Sequence, residues 1–416
     1  MKSPAQTHRE KITNYLLLGG LIAVSGFPFF MTAQIDFFFL FLFATGIYLK
    51  RSIVFDPRTL TIIGLFVVIE ILQFVFIKPF DPVMISGTLI RLVLSMLIMS
   101  MLREKIFLCF VNIICFFSFI SFLFYLPSVL VPGFFNFFTD TVCPFFAPPF
   151  TDPDGFYIVW PTNILFCFHA CIPEEFRNPG PFWEPGLFAV FLNLALIFNL
   201  ILEKKLGTRK NFMLLAALAT TMSTAGYIAF FVLLLSFYLA GQPLVKKILF
   251  SAILLPALGF LYFSVDFLNH KVEENIELAG TTTSSRFGSA AVDWRDFTES
   301  PWIGWGRGVM RYGGRSFAFF SEDQHRNNSI TDLLATYGAI LFLVFFYHYY
   351  RSLRVLCESH NFSPGFAVSA LVVILILGFS QSIFMKPFFY GILFIHYTCT
   401  NPMYKTSLRL STPSLP

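Results

Sequence analysis

Apolar runs of about 16 to 25 residues follow one another along most of the chain, each closed by charges or by Pro and Gly. A helix needs about 20 apolar residues to cross a bilayer core, so the repetition predicts an all-α, polytopic integral membrane protein. The runs fall at 13–31, 34–49, 59–77, 83–101, 105–127, 183–202, 211–241, 247–265, 329–350, 366–383 and 387–401. The stretch 211–241 is long for one crossing, and Thr220-Thr221-Met222-Ser223-Thr224-Ala225-Gly226 breaks it in the middle. Arg209 and Lys210 stand at one end, Lys246 and Lys247 at the other. Short basic loops stay cytoplasmic, so both ends lie on one side and the stretch is predicted to be a hairpin. The total is about twelve transmembrane helices.

Composition agrees with the pattern. Of 416 residues, 56% are hydrophobic, 19% aromatic and 13% charged, with a mean hydropathy of +0.71, against roughly 25% charged in a soluble domain. A single soluble core is excluded. The net charge of +5 suggests an acidic partner, but most Lys and Arg fall in alternate short loops, at Lys50/Arg51/Arg58, Arg103/Lys105, Lys204 to Lys210, Lys246/Lys247 and Arg351/Arg354, and in both tails. That is the signature of membrane orientation, and no nucleic-acid partner is expected. The chain is read as one transmembrane helical domain, 1–416, with both termini cytoplasmic and two long periplasmic loops, 128–182 and 266–328. The first run lacks a small-residue cleavage site and is expected to remain as an anchor. The apolar stretch from Phe156 to Ile172 is interrupted by Pro161 and Asn163 and is expected to be a re-entrant or interfacial helix.

Of seven cysteines, Cys143, Cys167 and Cys171 fall in the first long loop. In an oxidising compartment Cys143 could pair with either of the others, or all three could be apolar thiols. Cys167-Phe168-His169-Ala170-Cys171 has the composition of a metal cluster, but residues two apart on a helix point to different faces and no fourth ligand is evident. No metal and no other cofactor is predicted.

Four places carry candidate chemistry. Arg177 to Gly186 ends the first long loop and opens a span, so Glu184 stands before Pro185 either as a helix cap or, beside Arg177, as a surface base. The break around Ser223 puts polar groups and irregular backbone where only a cavity or packed protein tolerates them. The second long loop carries Arg286, Arg295, Arg307, Arg311, Arg315 and Arg326 against a single Lys271, together with Trp305, His325 and Asn328. Arg over Lys is the choice for bidentate phosphate or carboxylate recognition. Finally, Glu70 and Arg91 lie at similar depth in adjacent spans and are expected to form a salt bridge, the alternative being that Arg91 reaches a ligand phosphate.

In these residues the chain resembles the O-antigen polymerase and ligase superfamily, the Wzy-type polymerases and WaaL-type ligases of bacterial surface-polysaccharide assembly. The resemblance rests on an Arg before the Glu184-Pro185 opening of a span, on a T-x-S-x-x-G turn at Thr221 to Gly226, on Arg286 followed by Trp294 and Pro301-x-x-Gly304-x-Gly306, and on a polar Asn-Ser start of a late span at Asn328-Ser329. It implies an inner-membrane enzyme that transfers a glycan from an undecaprenyl-diphosphate carrier at the periplasmic face, without metal and with inversion. Arg177 and Arg286 would hold the diphosphate; Glu184 or His325 would handle the acceptor proton; Arg295, Arg307, Arg311, Arg326, Asn328, Trp305 and Ser223 would line the substrate site. The family's histidine stands immediately before the Asn-Ser-like pair, whereas here Asn327 holds that place and His325 lies two positions earlier, which shifts weight to Glu184. Membrane lipids, and a chain-length regulator and flippase of the same pathway, are the implied partners. Polymerase, ligase acting on lipid A-core, and non-enzymatic exporter of lipid-linked saccharides remain open readings of the sequence.

Overall fold

Where the apolar runs fall on described residues, they become helices. The computed structural model describes residues 4–32, 34–51, 53, 56–77, 81–146, 150–151, 157–158, 161–169, 171, 176–240, 245, 286–311 and 326–400; the expected crossing at 247–265, His325 and Arg315 lie outside them. The helices are α1 (Pro4–Gly26), α2 (Pro28–Thr32), α3 (Gln34–Lys50), α4 (Thr59–Phe76), α5 (Pro82–Leu102), α6 (Lys105–Leu130), α7 (Phe134–Phe137), α8 (Pro185–Glu203), α9 (Arg209–Thr220), α10 (Thr224–Leu239), α11 (Arg286–Glu299), α12 (Arg307–Arg311), α13 (Ser329–Ser359), α14 (Phe366–Ser380), α15 (Pro387–Ile392) and α16 (Ile395–Thr400). Extended pairing among the described residues is confined to Phe150–Thr151 with Tyr157–Ile158 and a bridge between Thr162 and Cys167. Among the described residues five helices, α4, α5, α6, α8 and α13, are long and apolar enough to cross a membrane, and Phe37–Lys50, α10 and α14 are apolar but shorter.

Helix α8 is the axis of the bundle. It is apolar on all sides and buried from Pro185 to Ile201, the behaviour expected of a helix with no polar face to present. Its two asparagines are matched to neighbours: Asn193 Nδ2 donates to the Gly226 carbonyl at 3.1 Å, and Asn199 Nδ2 to Asn211 Oδ1 at 2.8 Å. Asn211 in turn donates to the Lys205 and Leu206 carbonyls, both at 3.0 Å, which holds the tight α8–α9 turn.

The predicted hairpin at 211–241 has a structural cause. After α9, Met222 takes a left-handed φ of 49°, and Ser223 Oγ accepts the Gly226 N–H at 3.2 Å to start α10. A side chain at Gly226 would overlap Ala189 Cβ, 2.7 Å away, so the glycine is what lets α10 close on α8. Helix α10 then runs back to the opposite end of the bundle, where Phe237 stacks on Phe362 beside the start of α14.

One expectation in the first long loop is corrected. Residues 161–169 are not a helix. Asn163 Oδ1 accepts from Leu165 N at 2.8 Å and Phe166 N at 2.7 Å, a local side-chain turn that competes with helix formation, and Phe168 N returns to the Pro161 carbonyl at 2.7 Å. Of the two readings of the loop cysteines, the structure shows apolar thiols: all seven cysteines are free, and Cys143 and Cys171 are buried in a small apolar cluster with Tyr125, Phe166 and Phe168.

The second long loop re-enters the bundle. Pro301 to Gly306 lies against a break in α13 at Gly338, where φ is 73°, nine residues and about 14 Å along the helix axis. The carbonyls released by the break are taken by the loop: Trp305 N donates to Ala335 O and Gly306 N to Thr336 O, both at 2.9 Å, while Ala339 N donates to Pro301 O at 2.8 Å. Gln73 of α4 completes the joint, its Nε2 reaching Ile303 O at 2.5 Å and Thr336 O at 2.8 Å. Irregular backbone at that depth has to be satisfied by protein, and here it is.

Candidate functional site

Arg177 comes from the segment before α8 and is set against the α9 end of the break, its Nε 3.3 Å from the Thr221 carbonyl and its Nη2 3.2 Å from that of Met222. A cation at a helix C-terminus is electrostatically favoured, so the same contact that anchors Arg177 also stabilises the turn. Asn178 adds to the anchor, its N–H on the Thr220 carbonyl at 2.9 Å.

Glu184 occupies the N-cap position of α8 but does not cap it: no side-chain cap hydrogen bond is made. Its Oε1 instead accepts from the Trp183 indole N–H at 3.0 Å. Two cations lie within electrostatic range of this carboxylate. Arg286, the first residue of α11, lies within electrostatic range of Glu184 and Arg177. Lys386, in the connection before α15, is within range of Arg307, Arg91 and Glu184, and its ammonium sits 4.6 Å from the centroid of the Trp183 ring. His169, exposed on the first loop, also senses Glu184.

Among the described residues none accepts a hydrogen bond from Arg286, Arg307 or Lys386, and Nη1 of Arg307 is fully enclosed without a partner. Burial lowers the Arg286 guanidinium from its ordinary value, with Glu184 opposing and Arg177 reinforcing. Burial likewise brings Lys386 down to about 8, aided by Arg307 and Arg91 and opposed by Glu184. Unmatched buried donors are costly, and a concentration of them is the chemistry of an anion site.

The expected Glu70–Arg91 salt bridge is not formed. Both carboxylate oxygens of Glu70 lack a hydrogen-bond partner, and its cationic neighbour is Arg307. Similar depth did not imply a shared face. Glu70 is on the α4 face with Phe66 and Gln73, which packs on Tyr337 and the re-entrant loop. Arg91 is on the α5 face with Ser95, whose hydroxyl donates to the Pro387 carbonyl at 2.6 Å. Its guanidinium folds back along α5 over Gly87, towards Lys386 and Tyr390.

The remaining candidates divide. Arg307, carried inward by the re-entrant loop, borders a crevice with Glu70, Gln73, Asp81 and Trp305. Arg326 is engaged structurally: its guanidinium pairs with Asp293, and with Asp296 at 2.8 Å, and is 8% exposed. Thr331 Oγ1 donates to the second Asp293 oxygen at 2.6 Å, which ties α11 to the start of α13; burial pushes the Asp293 carboxyl up while Arg326 draws it back. Trp305 donates its indole N–H to the Asp296 carbonyl at 2.7 Å. Asn328 caps α13 through Ile330 N and Thr331 N at 3.1 and 3.3 Å, and Ser223 caps α10. Arg295 is exposed on α11, and Arg311 ends α12. Sequence reasoning missed Lys386 altogether; a lone lysine between two apolar runs was the available signal. No group of three metal-ligating side chains occurs among the described residues.

Compared with known proteins, the chain matches no family model, and no curated protein is significantly similar to it.

Proposed function

We propose that the chain is a glycosyltransferase of the polysaccharide polymerase type, working at the periplasmic end of the bundle in a bacterial inner membrane. The observation that carries this reading is a set of cations that find no hydrogen-bond acceptor among the described residues: Arg286 and Lys386 within electrostatic range of Glu184, and Arg307 within range of Lys386 and Glu70. Arg177 and Arg286, with Arg307 from the re-entrant loop, hold the diphosphate of an undecaprenyl-linked saccharide. As the acceptor hydroxyl oxygen bonds to the anomeric carbon, the carbon–oxygen bond to phosphate breaks and its electron pair leaves with the diphosphate, whose growing charge the arginines stabilise. The acceptor proton passes to Glu184, oriented by Trp183. The ligase reading shares this donor chemistry and differs in the acceptor; an exporter forms no glycosidic bond.

The test is a purified assay with a lipid-diphosphate donor. Arg286→Ala is expected to abolish chain extension, with Arg286→Lys recovering little because the bidentate fork is lost. Wild-type turnover by Arg286→Ala would overturn the diphosphate clamp. Transport of donor without bond formation by the unaltered protein would favour an exporter.

A further inference from the structure

Lys386 differs from the other cations of the cleft in being a lysine buried over an indole face beside Arg307 and Arg91, and burial brings it down to about 8. It stands where three elements meet. The segment before α8 presents Trp183 and Glu184 to it, α5 presents Arg91, and α12 presents Arg307. Its own helix adds Tyr390, which lies near Arg91, Arg307 and Tyr337 of α13. The position is held firmly: Ser25 Oγ of α1 accepts from Phe388 N at 2.8 Å, and Tyr349 Oη of α13 donates to the Phe389 carbonyl at 2.6 Å. In this fixed place the ammonium lies over an indole face, and no carboxylate or carbonyl among the described residues is hydrogen-bonded to it.

A structural lysine near Glu184 would be expected to bridge to it, since a buried ammonium without an acceptor is expensive. Here the indole separates the two, taking Lys386 on its ring face and Glu184 on its N–H. That leaves the ammonium without a described acceptor and within electrostatic range of Arg307 and Arg91. Cation–π contact offsets part of the desolvation without consuming a hydrogen bond.

We infer that Lys386 is itself an anion ligand of the cleft, a titratable charge beside the permanent charges of Arg307 and Arg91, so that the hold on a diphosphate loosens as the medium turns alkaline. The inference rests on reading the cleft as a diphosphate site. The lysine is protonated, and binding is complete, below its own pKa; the contribution is lost as pH rises through it, with bound anion extending the range upward.

Inorganic pyrophosphate binding to the purified full chain in nanodiscs, measured by calorimetry from pH 7 to pH 9, tests it. Lys386→Met is expected to weaken binding about tenfold or more at pH 7, while Lys386→Arg binds like wild type there. At pH 9 the Lys386→Arg protein should bind up to about tenfold more tightly than wild type, because arginine stays charged; this ratio cancels the titration of pyrophosphate itself. A ratio that stays flat across the range overturns the inference, as does wild-type affinity in a folded Lys386→Met protein. If Lys386→Met does not fold, the arginine ratio decides alone. Arg286→Ala separates the two levels: binding lost there but unaffected at Lys386 removes only the lysine, whereas no pyrophosphate binding by wild type removes the cleft reading as well.

Discussion

Gly304 and Gly338 lie back to back across the re-entrant joint. Each has a left-handed φ, 68° and 73°, and a Cβ on either would strike the other strand's backbone, Gly304 against the Thr336 carbonyl and Gly338 against that of Trp302. No rotamer relieves an overlap with backbone.

Gly304→Ala and Gly338→Ala are therefore each expected to cost roughly 2–4 kcal/mol, combining unfavourable φ with displacement of the loop. Because both act on one joint, the double variant should lose less than the sum. Thermal unfolding in detergent measures this, and additive losses would show that the two glycines serve separate contacts.

Arg91→Gln is expected to leave protein level near normal and to reduce activity by about 10² or more, as for loss of a charge stabilising a leaving group. Exchanging the charges of Glu70 and Arg91 should rescue nothing, because they face different elements. Recovery of protein level by the exchange would reinstate the salt bridge.

Arg326 and Arg286 should behave oppositely. Removing one partner from a buried ion pair costs about 3–5 kcal/mol, so Arg326→Gln and Asp293→Asn are expected to deplete folded protein, whereas Arg286→Gln keeps protein level and loses activity. Western quantification beside a polymer assay separates these, and an abundant but inactive Arg326→Gln protein would move that residue into the substrate site.

Glu184→Gln is expected to cost about 10² to 10⁴ in rate. Trp183→Phe keeps the ring under Lys386 and deletes only the N–H that orients the carboxylate, so a smaller loss, about tenfold, is expected in single-turnover measurements. Equal rates for Trp183→Phe and wild type would mean that Glu184 needs no indole to aim it.

Cysteine labelling from either side of the membrane should place Lys205 in the cytoplasm, and residues 128–146 and Trp302 with the opposite compartment. Labelling of position 205 from the periplasmic side would invert the orientation and move the site to the wrong face.

Much of the bundle was legible because membrane crossing demands only long apolar runs, and those need no partner to be recognised. The hairpin was legible for a similar reason: Thr221, Ser223 and Gly226 act on their own turn. What escaped depended on facing. Lys386 and Arg91 become neighbours only through the packing of α5 on α15, and Arg326 meets Asp293 only after α11 folds onto α13. At 161–169 apolar composition suggests a helix, but the Asn163 side chain supplies a turn in its place. Pro301-x-x-Gly304-x-Gly306 was visible as a motif, but its purpose required Gly338, which looks ordinary within an apolar span.

The joint at Gly338 also fixes the reach of the charged crevice. Arg307 follows Gly306 directly, and Gly306 N is held on the Thr336 carbonyl. A shift of the loop at this joint would therefore carry Arg307 away from Glu70, so two glycines remote from any charge set the distance between a cation and its carboxylate.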